Sequence, residues 1–141
     1  MKHTYFFENR KWTLDGTYYD DKGLPCPLYG EVVTSRDGSK ITVDGFLRTL
    51  LDPPIEVATA FTALEVCENS FTYEAQNPAF GTICGNVAAL GNFILSFCKS
   101  ADNVYSGMET LRQIDDYVYE NAGACFINGI RMASWVATLK S

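Results

Sequence analysis

One histidine, His3, and five cysteines, Cys26, Cys67, Cys84, Cys98 and Cys125, are the residues best suited by type to hold a metal or to form a nucleophile with its base. The cysteines stand 41, 17, 14 and 27 residues apart, and no C-x-x-C occurs. Zinc sites draw on closely spaced Cys and His pairs, and disulfide frameworks on an even cysteine count, so neither pattern is present. The five thiols read as reduced and buried in the core, where free cysteine behaves as a small hydrophobe. A Ser-His or Cys-His pair, or a histidine-ligated haem, would have to rest on His3 alone. No metal or cofactor is expected.

Polar residues set inside apolar stretches are more informative. Glu109, in YSGMETL, shares the two-residue period of a strand with Tyr105, Gly107 and Leu111. If that face points inward, burial raises the carboxyl pKa, as general acids and bases require. Arg131 and Trp135 fall on one face of RMASWVATLK, so an inward Arg131 would pair with Glu109 or grip a ligand carboxylate. The alternative for both charges is an ordinary solvent-facing position. Tyr18, Tyr73 and Asn77 are further candidates for a hydrogen bond into a cavity, whereas Asp115 and Asp116 read as a solvated turn. No residue is assigned a catalytic role.

The elements that must position these residues are strands. Asp15-Gly16, Lys22-Gly23, Asp37-Gly38, Gly91-Asn92 and Asn128-Gly129 punctuate the chain at short intervals, with Val, Thr, Tyr, Phe and Trp between them. Strands are expected at 11–20, 28–36, 40–51, 70–77, 80–89, 93–99, 105–113, 117–120, 123–128 and 130–140. Residues 55–67 read as a strand by their Val and Thr content, or as a helix by the spacing of Val57, Ala60, Phe61, Leu64 and Cys67 after Asp52-Pro53. The longest uncharged run, Ala75 to Cys98, is broken by Pro78, Gly81, Gly85 and Gly91. Such a run suits a hairpin better than a membrane-spanning helix. Both faces of that hairpin are apolar or small, so both are expected to be covered.

The chain is all-β by this reading. At 141 residues it fits one domain, 1–141, able to bury roughly two-thirds of its unfolded surface. Eight to ten short antiparallel strands must close or double over to hide their edges. Gly16, Gly30, Gly45, Gly85 and Gly107 inside strand patterns suit the bends of a closed barrel. A first strand KWTLDGTYYD carrying Trp and Gly, a meander of hairpins and a last strand with Trp135 resemble the calycin superfamily of lipocalin-like and fatty-acid-binding-protein-like barrels. The resemblance implies a single antiparallel up-and-down barrel, with room for a short N-terminal helix, and is not carried over to a ligand.

A net charge of -6 and scattered cations argue against nucleic acid. The N-terminus lacks the apolar run and cleavage site of a secretory signal, so the cytoplasm is the expected compartment. Barrels of this size hold one small ligand, and nineteen aromatic residues supply walls for a cavity or simply fill a core. The expected function is interior binding of a small, mainly apolar molecule, with Glu109, Arg131, Trp135, Tyr18, Tyr73 and Asn77 as candidate contacts. The alternative is a cofactor-independent cyclase, isomerase or decarboxylase using a buried Glu or Tyr. Apolar outer faces would further allow a homodimer.

Overall fold

A computed structural model describes residues 2–67 and 69–141. It contains ten strands, β1 (Arg10–Tyr19), β2 (Pro25–Asp37), β3 (Lys40–Thr49), β4 (Glu56–Cys67), β5 (Ser70–Asn77), β6 (Gly81–Leu90), β7 (Phe93–Ser100), β8 (Tyr105–Asp115), β9 (Val118–Ile127) and β10 (Ile130–Lys140). Each pairs antiparallel with its neighbour in sequence, and β1 pairs with β10, so the sheet closes into one up-and-down barrel. The segment read as strand or helix is strand, Glu56–Cys67, and no helix forms among the described residues.

Two-residue loops set the register of the tightest hairpins. Gly38, Gly91 and the pair Asn128-Gly129 adopt positive φ, the conformation that tight hairpin loops need to match strand twist. Asp37 faces Lys40 directly, so the β2–β3 loop has two residues, one fewer than the expected strands 28–36 and 40–51 leave between them. The expected strands 117–120 and 123–128 are one continuous β9, because Asn121 and Gly123 face Leu111 and Glu109 in an unbroken ladder instead of turning the chain.

The barrel is filled from one end. Tyr5, Phe6 and Phe7 are buried against Trp12, Phe61, Phe71 and Tyr119, the rings meeting mainly edge-on or tilted. The expected N-terminal helix is absent: Phe7 and Glu8 amides both bond to the Thr4 carbonyl in a single turn, and Phe6 has φ 70°. This segment is tied down by His3. Its Nδ1 lies 3.0 Å from the Tyr119 hydroxyl and its Nε2 2.9 Å from the Gly91 carbonyl. In the neutral tautomer that donates Nε2–H to that carbonyl, Nδ1 accepts a hydrogen bond from the Tyr119 hydroxyl. The Tyr119 oxygen in turn accepts from the Thr4 and Tyr5 amides.

The ladder between β4 and β5 is short. Only Leu64, Glu65 and Cys67 of β4 face partners on β5 among the described residues, with an irregularity between Glu65 and Cys67. Residues 56–63 pair with β3 alone and 73–77 with β6 alone. The outer face of β6 and β7 is not covered as expected. Cys84, Asn86, Ala88, Phe93, Leu95 and Phe97 are exposed there, because a barrel wall has one inner side and nothing packs on its outer one.

Candidate functional site

Strand alternation sends Leu14, Tyr18, Phe61, Tyr73, Ser96, Cys98, Glu109, Asn121, Cys125 and Trp135 toward the interior, where they line a cavity of about 240 Å³. Register then arranges them in two rows across the wall. In one row Ser96 faces Glu109, Glu109 faces Gly123, Gly123 faces Trp135, and Trp135 faces Tyr18. In the other, Tyr73 faces Gly85, Gly85 faces Cys98, Cys98 faces Gly107, and Gly107 faces Cys125. Gly123 and Gly85 are the positions that make this packing possible. A Cβ on Gly123 would collide with the Trp135 ring, and one on Gly85 with the Tyr73 ring, so both aromatics lie flat across a missing side chain.

A polar chain runs along the first row. Trp135 Nε1–H donates to Asn121 Oδ1 at 2.8 Å, which turns the amide nitrogen toward Glu109. Asn121 Nδ2 donates to Glu109 Oε2 at 3.2 Å and to the Thr110 carbonyl at 3.0 Å. Glu109 Oε1 has no hydrogen-bond partner among the described residues. Glu109 is half-buried and borders the cavity. Burial pushes its pKa above the usual carboxylate value, opposed only in part by the Asn121 bond. Burial likewise raises Tyr5, Tyr73 and Tyr105, and the thiols of Cys98 and Cys125. The site is therefore an aromatic-walled chamber bordered by one carboxyl whose acidity burial weakens.

The structure brings Glu109, Trp135, Tyr18 and Tyr73 together on this chamber and leaves Arg131 and Asn77 outside it. Arg131 and Trp135 do not share a face. The pairing of β10 with β9 shifts between Arg131 and Ala133, so Met132 is a bulge residue and Arg131 faces outward-pointing Phe126. Its guanidinium bonds the Asp20 and Asp21 carbonyls at 3.0 and 3.3 Å, and no Glu109–Arg131 pair forms. Asn77 caps the β5–β6 turn through its Oδ1, which accepts from the Ala79 and Phe80 amides. Sequence reasoning missed Asn121, hidden in the expected break between two strands, and Cys98 and Cys125, read only as core. Of the five free thiols, Cys67 and Cys84 are exposed and the other three half-buried, so none is a fully buried core residue.

The molecule is a closed ten-stranded antiparallel barrel with an internal cavity. No protein-family profile matches the chain, and no curated protein does. Among solved structures it matches a crystal structure of a Nitrosomonas europaea protein provisionally named AttH, at 8% identity and TM-score 0.34. The match covers 94% of this chain and 50% of that one, so this chain spans about half the length of its neighbour. No helix among the described residues is long and apolar enough to cross a membrane.

Proposed function

We propose that this chain is an intracellular, lipocalin-like barrel that binds one small, mainly apolar molecule in its interior, anchored by Glu109, Asn121 and Trp135. The observation that carries this reading is the cavity of about 240 Å³ with a polar chain on its wall in which Trp135 and Asn121 hydrogen-bond on to the Glu109 carboxyl. Its volume lies just below the roughly 300 Å³ at which drug-sized pockets begin, so the occupant is smaller than a drug-sized molecule. Aromatic and aliphatic walls supply affinity, and the carboxyl fixes orientation. Native mass spectrometry of protein purified from its own source tests this: a stoichiometric small molecule is expected, lost on denaturation and reduced in Trp135→Ala. Protein that carries nothing and takes up no apolar probe overturns it.

The carboxyl with its raised pKa also supports a second reading, a cofactor-independent isomerase or decarboxylase with Glu109 as acid or base. The two part at one variant. Turnover abolished by Glu109→Gln while binding survives favours the enzyme; weakened retention with no turnover in either protein favours the binding barrel.

A further inference from the structure

The charge of the cavity is one-sided. Glu109 is the only Asp, Glu, Lys, Arg or His side chain among its described lining residues. Arg131, the cation that sequence parity placed beside it, is held on the β1–β2 turn instead. A buried carboxylate without a counter-charge is costly, and burial accordingly raises the pKa of Glu109 in favour of its protonated form. A ligand that brings its own positive charge resolves the same problem without the proton. The surrounding groups favour such a ligand. Trp135 lies on the far side of Gly123 from Glu109, and Tyr5 and Tyr73 also border the chamber, so aromatic and aliphatic side chains surround the carboxyl and none of them is an anion. A ligand carboxylate would meet no cation there.

Building on the reading that the cavity binds a small molecule, we propose that it selects organic amines: a protonated primary amine on a short apolar body, its ammonium on Glu109 Oε1 and its body against Phe61, Tyr73 and Leu111. The Asn121 bond holds Oε2 and leaves Oε1 to the ligand, which sets the direction of entry, amine first. On binding, the Glu109 carboxylate accepts a hydrogen bond from the ammonium; a proton held on the carboxyl beforehand passes to solvent, and no other bond is made or broken.

Three probes of equal chain length separate the possibilities: octylamine, 1-octanol and octanoate, titrated at pH 7 into the full chain and into Glu109→Gln by calorimetry. Octylamine is expected to bind about tenfold or more tighter than either of the others, the difference a charge-assisted hydrogen bond makes. Glu109→Gln is expected to remove that advantage, so that octylamine binds the variant no more tightly than octanol does. The ratio in the unmodified protein is decisive even if the variant folds poorly. Octanol or octanoate binding as tightly as octylamine overturns the amine proposal and leaves the binding cavity standing. Failure of all three probes to bind overturns both.

Discussion

At Glu109 a proton and the fold are coupled. Its pKa is higher in the folded barrel than in the unfolded chain, so the native state binds this proton more tightly. The contribution is therefore fully present below the ordinary glutamate pKa of 4.5 and is lost as pH rises through the raised folded value. Glu109→Gln removes that loss. Thermal unfolding across this window should show the variant gaining on the parent as pH increases; parallel curves would refute the coupling. Thiol chemistry reads the same interior. Cys98 and Cys125 face the cavity with raised pKa values, whereas Cys67 and Cys84 are exposed. Alkylation followed by peptide mapping should modify Cys67 and Cys84 first, since the thiolate is the reactive form and burial suppresses it. Filling the cavity should slow Cys98 and Cys125 further.

Among the elements, the N-terminal segment at one end of the barrel converges on the Tyr119 side chain. The Tyr119 hydroxyl accepts two backbone amides and donates to His3. Tyr119→Phe leaves buried donors unpaired and should cost about 1–3 kcal/mol in denaturant unfolding, the usual penalty for such groups. Gly123→Ala should move Trp135 off its shelf, seen as a shift in tryptophan emission. These contacts show what was legible in the sequence and what was not. Strand positions followed from two-residue periodicity, which is local; the same period put Glu109, Trp135, Tyr18 and Tyr73 forward as candidates but left open which face turns inward. The bulge at Met132 was not legible, because an extra residue inverts facing without changing composition, and this is why Arg131 lies on the wrong side of its strand for Glu109. The long-range partners of His3 and Tyr119, 116 residues apart, leave no local signal at all.

For the molecule as a whole, closure removes the outer edges but leaves an apolar outer wall. Leu95, Phe97 and Met108 are 42%, 50% and 52% exposed on adjacent strands, and pairing of two copies across this face would bury them. Phe97→Glu then converts a dimer to a monomer in sedimentation equilibrium; a parent that is monomeric at high concentration rejects the pairing. Closure is also uneven around the circumference. Backbone groups of 56–63 and 73–77 that point across the gap between β4 and β5 have no ladder partner among the described residues. Their amide protons should exchange with deuterium on the order of a hundredfold or more faster than those of the long β8–β9 ladder, since exchange there needs no strand to separate. The barrel is thus a belt with one loose buckle, and the slack lies in the wall where Thr59 and Tyr73 border the chamber. Guest exchange would then be set by how often that buckle gapes, and a disulfide clasp across it should lengthen residence time without altering the chamber itself.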